Sequence, residues 1–248
     1  MEFRDVYGVT FSQKRNDARI TPALLEDIKA GSTLSEDAQR DLVLASIAIK
    51  YTQSNSVGFS KNGQMIGIGA GQQSRVDCVK LAGRKVAVWY LRQHPKVQAL
   101  PFKASVKRQD RWGLLVCLYY RLLYLIDRSL WQLIAAILIT STIRVNARVR
   151  YIEGDITSAE MPIWLNNFES SPEMLSEAEK TEFLATLKGV SISSDAFFPF
   201  RDSIDHASKV GVEFVAQPGG SIADSEVIAA CNEYKMSMAF TNLRLFHH

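Results

Sequence analysis

Cysteine and histidine are scarce in this chain, and neither is grouped as a metal site would require. The 248 residues contain three cysteines, Cys78, Cys117 and Cys231, with no Cys-x-x-Cys pair. The four histidines form no His-x-Glu or His-Glu-x-x-His pattern, and Pro-Cys-x-x-Cys is also absent. These absences argue against a disulfide framework and a thiolate zinc site, and against catalytic zinc of the familiar kinds. We therefore predict no zinc and a reducing compartment.

A strong net charge and an apolar leader are lacking as well. The formal net charge is +3, and the basic residues are interspersed with acidic ones, so the composition requires no nucleic-acid partner. Three of the first five residues are charged, and the N-terminus lacks the apolar core of a signal peptide. With 47% hydrophobic residues, the chain can bury the core of one large or two small domains. We predict a cytosolic protein.

One segment departs from this composition. Residues 112–143 are rich in Leu, Ile, Tyr and Trp. A membrane helix needs about 20 consecutive, mainly apolar residues, but Arg121, Asp127 and Arg128 interrupt this segment and leave only the shorter run at 129–143. The alternatives are a membrane span, a buried helix, and translated sequence foreign to the mature protein. We favour a protein without a membrane anchor.

The rest of the chain alternates helical and strand-like patterns. Thr33-Leu34-Ser35-Glu36 is a capping box, and it predicts a helix with Leu42, Val43, Ser46 and Ile49 on one side. Further predicted elements are an apolar run at 65–68, a glycine-rich turn, a helix from about Ser74 that stops before Pro95, a helix capped by Ser176 and Glu179 and ending near Gly189, a strand at 190–193, a helix at 202–209 closed by Gly211, a strand at 212–216, a turn at 218–220, a helix at 223–234 and a strand at 236–240. This alternation predicts a layered α/β sheet.

The first candidate site is the polar segment KYTQSNS at residues 50–56. Its density of polar side chains directly after an amphipathic helix suits a ligand pocket. A surface turn held by Ser and Asn side chains is an equally good interpretation.

The second candidate is the segment GIGAGQQSR at residues 67–75. Its small residues allow close backbone approach, and the N–H groups of the helix that follows could hold a phosphate or carboxylate. The spacing matches neither a Walker loop nor a Gly-x-Gly-x-x-Gly fingerprint. In isolation it favours a plain tight turn.

The third candidate is SSDAFFPFRD at residues 193–202, where two carboxylates and an arginine flank three aromatic rings. Aromatic faces can sandwich a heteroaromatic base while a carboxylate accepts hydrogen bonds from its amines. The alternative places the phenylalanines in the core and makes Asp202 a helix N-cap. The terminal segment at 242–248 is similarly either a frayed end or part of a pocket.

Four segments together, KYTQSNSV, GQMIGIGAGQQSR, SISSDAFFPFRD and TNLRLFHH, resemble motifs of the bifunctional purine-biosynthesis enzymes (phosphoribosylaminoimidazolecarboxamide formyltransferase and IMP cyclohydrolase), in the same order. The similarity runs from about Gly8 to Lys107 and from about Asn146 to His248. It is to the C-terminal part of the transformylase half, which in that family contains two cytidine-deaminase-like subdomains without the deaminase zinc. The resemblance therefore implies a cytidine-deaminase-like layered α/β sheet and an incomplete transformylase domain.

The resemblance also implies a reaction. The family transfers a formyl group from 10-formyltetrahydrofolate to the exocyclic amine of aminoimidazole carboxamide ribotide, and then cyclises the product to IMP. Its transformylase site is shared between two subunits, so the resemblance implies a homodimer that binds this ribotide and a folate.

The resemblance carries over to particular residues. It makes Asn55 a catalytic residue near the reacting groups. It implies substrate contacts at Gln73, Arg75, Asn146, Phe197, Asp202, Arg244 and Phe246. It implies oxygen ligands of a potassium ion at Thr52, Ser54 and Asp195.

The chain also departs from the family pattern. Residues 1–108 resemble the first part of the second subdomain with a segment that precedes it, and 146–248 resemble the remainder. Residues 109–145 have no equivalent and are predicted to be an apolar insertion from an unspliced intron or a faulty gene model. The family's Lys-His pair for proton transfer and its cyclohydrolase domain have no counterpart here. A positioned general base contributes about 10²- to 10⁴-fold, so we expect this chain alone to be nearly inactive. The alternative is a catalytically inactive fragment for nucleotide binding or dimerisation.

Overall fold

The computed structural model describes residues 1–106 and 144–245, which divide into two units. The first unit comprises residues 1–89 and those from 182 onward, and the second comprises the described residues of 90–181. The apolar segment 112–143 lies outside the described residues, as does the predicted insertion apart from residues 144 and 145. Within the described ranges, no helix is both long enough and apolar enough to cross a bilayer. The three-part domain division stays a prediction.

A six-stranded mixed sheet forms the centre of the first unit. Ahead of it lie an exposed antiparallel hairpin and a 3-10 turn: β1 (Glu2–Val6), β2 (Val9–Gln13) and Pro22–Leu25. The strands of the main sheet are β3 (Asp27–Ala30), β4 (Ser56–Lys61), β5 (Gln64–Ala70), β6 (Val190–Ser194), β7 (Val212–Gln217) and β8 (Ser237–Phe240). Their order is β3-β8-β7-β6-β4-β5, in which β6, β7 and β8 are parallel and the other neighbours antiparallel. The predicted layered α/β sheet is confirmed.

The helices follow the predicted alternation closely. They are α1 (Glu36–Lys50), α2 (Arg75–Leu91), α3 (Pro95–Gln98), α4 (Met161–Leu165), α5 (Glu177–Ala185), α6 (Asp202–Ser208) and α7 (Asp224–Glu233), with a further helical stretch at 144–153. The predicted boundaries differ from these by a few residues, mostly at helix ends, where caps and turns compete with the last helical hydrogen bonds.

Helix α1 begins where its capping residue predicts, with one correction. The N-cap is Ser35, whose Oγ accepts a hydrogen bond from Ala38 N at 3.2 Å, and not Thr33. Leu42 and Ile49 are buried on the face that packs against the sheet. Ser46 Oγ donates to Leu42 O at 2.8 Å and lies 2.7 Å from Ser193 Oγ of β6, so its polar group is satisfied within the core.

The predicted glycine-rich turn is wrong, because Gly67 and Gly69 lie inside β5. A Cβ at Gly67 would lie 2.6 Å from Ala82 O of α2, and a Cβ at Gly69 would overlap Cys78 O. The absence of a side chain at both positions therefore allows the backbone of α2 to pack directly on the strand. Glycine within a strand often indicates such a close backbone approach. The turn begins only at Gly71, where φ is +69°.

Helices α1 and α2 cover opposite faces of this part of the sheet. A Cβ at Gly58 of β4 would meet Ile49 of α1 at 2.9 Å. Its neighbour Val57 pairs with Gly69, which faces α2. Because successive strand residues point to opposite faces, the sheet is sandwiched between helices.

The second unit is held by aromatic packing around α4. Trp164 lies between the rings of Tyr151 and Phe168, at centroid distances of 6.2 and 4.6 Å. Its Nε1 donates to Ala147 O at 3.1 Å, and Tyr151 Oη donates to Glu173 O at 2.6 Å. The polar tips of both buried rings are therefore satisfied.

The predicted capping box of α5 is confirmed. Glu179 Oε2 accepts from Ser176 N at 2.9 Å, and Ser176 Oγ accepts from Glu179 N at 3.3 Å. Lys96 Nζ also contacts Glu179 at 2.6 Å. These hydrogen bonds, that of Lys96 foremost, lower the pKa of Glu179 to about 2.

Candidate functional site

An open cleft of about 700 Å³ lies in the first unit. It is lined by Ser54, Asn55, Gln73, Ser74, Arg75, Val76, Ala196, Phe197, Pro199, Phe200, Asp202 and Arg244. All four sequence motifs contribute to this lining, and six of the eight predicted catalytic and substrate-contact residues belong to it.

The sheet register explains why these distant segments meet. Strand β4 begins at Ser56, which pairs with the last residue of β5, and its next residue pairs with Ser194 at the end of β6. Strand β8 runs parallel to β7 and β6 and ends at Phe240, on the same edge. The loops after β5, β6 and β8 and the loop before β4 therefore leave the sheet side by side, as at the ligand-binding edge of many α/β sheets.

A buried ion pair forms the floor of the cleft. Asp195 is 0% exposed and Arg75 is 7% exposed. Arg75 Nη1 binds Asp195 Oδ1, while Asp195 Oδ2 accepts from Ser54 Oγ at 2.7 Å, Ser56 N at 3.1 Å and Ser56 Oγ at 3.0 Å. Buried charges need this kind of pairing and hydrogen bonding. Both carboxylate oxygens of Asp195 are thus occupied by protein donors.

The same arginine orients Asn55. Arg75 Nη2 donates to Asn55 Oδ1 at 3.0 Å, and because a guanidinium can only donate, the oxygen of the amide must face it. Asn55 Nδ2 donates to Gln72 O at 3.0 Å and to Gln73 O at 3.3 Å. The Asn55 amide is therefore fixed in one orientation at the wall of the cleft.

Cys78 lies behind Asn55 and was not singled out by the sequence motifs. Its Sγ donates to Asn55 O at 3.0 Å. Burial raises the pKa of the Cys78 thiol, so the thiol stays protonated and is a poor nucleophile. The sequence feature that could have indicated Cys78 is its position on α2, one turn after Arg75 and on the same face.

The aromatic motif divides between the cleft and the core. Phe198 is fully buried, as the alternative interpretation expected, and its backbone N donates to Gln217 Oε1 at 2.6 Å. Phe197 and Phe200 line the cleft, and the latter is 61% exposed. The Arg244 guanidinium lies 6.0 Å from the centroid of the Phe197 ring.

Asp202 also lines the cleft. The N-cap interpretation of this residue is wrong, because Arg201 occupies the cap position and Asp202 is the first residue of α6. Its carboxylate accepts a hydrogen bond from Ser203 Oγ at 3.3 Å. A carboxylate in the first turn of a helix is favoured by the helix dipole.

Two predicted substrate contacts and two predicted potassium ligands are not among the described residues that line the cleft. Asn146 is exposed on the helical stretch of the second unit, and Phe246 lies outside the described residues. Thr52 Oγ1 donates to Ile49 O at 2.8 Å, and Asp195 is held by the donors described above. Within the described ranges, no three His, Cys, Asp or Glu side chains group as a metal site. The potassium site stays a prediction that this hydrogen bonding does not favour.

The residues of the cleft lie in parts of the sequence that are similar to known proteins. Residues 1–85, which include Asn55, Gln73 and Arg75, match the family model of the AICARFT/IMPCHase bienzyme. Over all 248 residues, the chain is 28% identical to a bifunctional purine biosynthesis protein, PurH, of Magnetococcus marinus.

The chain thus resembles the AICARFT/IMPCHase bienzymes. It spans 30% of the length of the PurH protein it matches. The cleft segments at 193–202 and 242–245 fall outside the range of the bienzyme family model but inside the aligned range of PurH. The cleft therefore combines residues from both ends of the alignment.

Proposed function

We propose that this chain forms part of the transformylase site of a purine-biosynthesis bienzyme. In that reaction, a formyl group passes from 10-formyltetrahydrofolate to the exocyclic amine of aminoimidazole carboxamide ribotide, and a separate domain cyclises the product to IMP. The observation that carries the proposal is the convergence of Asn55, Gln73, Arg75, Phe197, Asp202 and Arg244 on one cleft. The match of residues 1–85 to the bienzyme family supports it.

The chemistry of the lining suits such a ligand. The Phe197 ring offers a face on which an aminoimidazole can stack. The Asp202 carboxylate can accept hydrogen bonds from amine or amide N–H groups, and the Arg244 guanidinium can pair with a phosphate or a carboxylate. Asn55 Oδ1 accepts one bond from Arg75, which leaves a second lone pair for the reacting amine.

Arg75 has a different role in this proposal. It is buried and paired with Asp195, so it acts by orienting Asn55 and only its edge reaches the cleft. No step of the proposed reaction is assigned to a potassium ion at Thr52, Ser54 and Asp195, because Asp195 Oδ1 pairs with Arg75 and its Oδ2 accepts from Ser54 and Ser56.

We propose further that the sheet is cytidine-deaminase-like and that the chain acts as a cytosolic homodimer. The sandwiched mixed sheet with its parallel run of β6, β7 and β8 supports the first point. Light scattering would test whether the chain is a homodimer. A particle of twice the 27.8 kDa chain mass supports it, and a monomer at micromolar concentration contradicts it.

Ligand binding and turnover test the proposal separately. Titration calorimetry with aminoimidazole carboxamide ribotide is expected to show binding that Phe197→Ala weakens about 10-fold or more, as the loss of an aromatic stacking surface would. The control is Phe11→Ala, in the exposed hairpin. Absence of ribotide binding would contradict the proposal.

A turnover assay with 10-formyltetrahydrofolate distinguishes an active formyltransferase from an inactive nucleotide-binding fragment. Without the Lys-His pair, we expect formyl transfer to be about 10²- to 10⁴-fold slower than in a full-length bienzyme. Binding without measurable transfer would favour the nucleotide-binding fragment, whereas transfer at the full-length rate would show that this chain supplies its own base.

A further inference from the structure

The segment that follows β2 does not line the cleft, but it is hydrogen-bonded to the C-terminal segment that does. Residues 14–21 connect β2 to the 3-10 turn, and none of them belongs to the cleft lining. Asn16 is half-buried, and its Nδ2 donates to Leu245 O at 2.8 Å, across 229 residues of sequence. Its Oδ1 accepts from Ala18 N at 3.3 Å. The two ends of the described chain are thus joined by one side chain.

The connecting segment is itself fixed in place. Lys50, at the end of α1, is 9% exposed, and its Nζ donates to Ala18 O at 2.7 Å. Because Lys50 is largely buried and its position is set by a helix, it anchors Ala18 and hence the turn that carries Asn16. The Asn16 amide therefore has a defined position from which to hold the C-terminal segment.

Leu245 is held on both sides of its backbone. Its N donates to Asp195 O at 2.9 Å, and its O accepts from Asn16. Its side chain is 4% exposed. Arg244, the preceding residue, is exposed and lines the cleft beside Phe197. The two backbone hydrogen bonds of Leu245 therefore help to place the backbone of Arg244 at the cleft.

We propose that Asn16 is a positioning residue that holds Arg244 at the cleft. Through Leu245 O, it fixes the place of a guanidinium that Asn16 itself does not contact. The ligand of that guanidinium is the ribotide or folate of the proposed function, on which this inference rests. A hydrogen bond of this kind contributes about 0.5–1.5 kcal/mol, so its loss should weaken ligand binding about 2- to 12-fold.

Two variants of Asn16 separate its two hydrogen bonds. Asn16→Asp keeps an acceptor for Ala18 N but removes the donor to Leu245 O, and Asn16→Ala removes both without adding a charge. The matched control is Asn167→Asp in the second unit, because Asn167 Nδ2 donates to Trp164 O at the same distance of 2.8 Å. Asn167 is not part of the cleft lining.

The first readout needs no ligand. In the full chain, the Phe197 ring should shift the side-chain Nε–H NMR signal of Arg244, which can be assigned by its loss in Arg244→Lys. We expect both Asn16 variants to move this signal toward the value of an unstructured arginine and Asn167→Asp to leave it unchanged. An unchanged signal in the Asn16 variants overturns the inference, whether or not the cleft binds the ribotide.

The second readout is the Kd for aminoimidazole carboxamide ribotide by calorimetry. We expect the Asn16 variants to raise Kd about 2- to 12-fold, and to have no further effect when Arg244→Ala is already present. Equal effects with and without Arg244 would mean that Asn16 acts only on general stability, which overturns the inference. If the wild-type chain binds no ribotide but the NMR shift behaves as expected, the proposed function fails and the positioning role stands.

Discussion

Replacing Asp195 by asparagine should destabilise the first unit far more than the change of one atom suggests. Asp195 Oδ1 faces Arg75, and Oδ2 faces Ser56 N–H, and both of these partners can only donate. An asparagine must therefore point its NH₂ group at one of two buried donors, whichever way its amide is turned. The substitution also leaves Arg75, which is 7% exposed, without its counter-charge.

The size of the effect follows from burial. Removing one partner of a buried ion pair typically costs about 3–5 kcal/mol. For a chain of this length, each kcal/mol lowers Tm by about 2–4 °C, so we expect Asp195→Asn to lower Tm by about 6–20 °C. Asp37→Asn is the control. Its partner Arg40 lies at 2.6 Å, but the Asp37 side chain is 82% exposed, and we expect a loss of at most about 1 kcal/mol.

Urea unfolding followed by circular dichroism would measure the free energy of unfolding of both variants. The double variant Asp195→Asn with Arg75→Met should lose less than the sum of the single losses, because it removes the unpaired buried charge. The reasoning would be refuted if Asp195→Asn cost no more than Asp37→Asn, or if the double variant were additive.

Three further predictions concern the same unit. Gly69→Ala should lower the free energy of unfolding in urea by about 1–3 kcal/mol, because its Cβ would overlap Cys78 O. Gly83→Ala lies within α2, where a Cβ would meet only Val210 methyl groups at 3.9 Å, and should stabilise the protein by up to about 1 kcal/mol. Equal effects of the two variants would contradict the packing account. Burial, with the charges of Lys209 and Lys80, lowers the pKa of His206 below 6.5, so the unfolded state binds the proton more readily, and the free energy of unfolding should fall as pH drops below 6.5. His206→Gln should flatten that slope between pH 7.5 and 5.5, and an unaltered slope would exclude His206 as its cause. The Cys78 thiol should react with a thiol reagent only at the rate of unfolding, and a fast reaction in native buffer would contradict its burial and raised pKa.

The elements predicted well from the sequence are those whose signals are local. The α1 and α5 starts depend on side chains within three residues of the cap, and such patterns are visible in the sequence. The parallel run β6 to β8 follows from strands alternating with helices. The glycines of β5 were misread because a glycine cluster is typical of a turn, and nothing local indicates that a helix backbone packs on them.

The candidate site was predicted in its residues but not in its contacts. Arg75 and Asp195 were both singled out, yet as a substrate contact and a cation ligand, and their ion pair joins positions 120 residues apart. Asn16 was missed because it lies in a segment whose only signal is its polar composition. Which residues pair across such separations depends on the sheet register, and that register is set by packing of the whole unit.

These contacts connect stability and ligand recognition within one network. The Asp195 side chain holds Arg75, which orients Asn55, while the Asp195 backbone O holds Leu245 and so sets the position of Arg244. Replacing the Asp195 carboxylate should therefore weaken ligand binding even under conditions where the chain remains folded, because the orientation of Asn55 depends on it through Arg75. A destabilising change in the second unit, such as Asn167→Asp, offers no such route and should alter only the free energy of unfolding. Comparing ribotide binding by the two variants under conditions where each remains folded would distinguish the network from a general effect of instability.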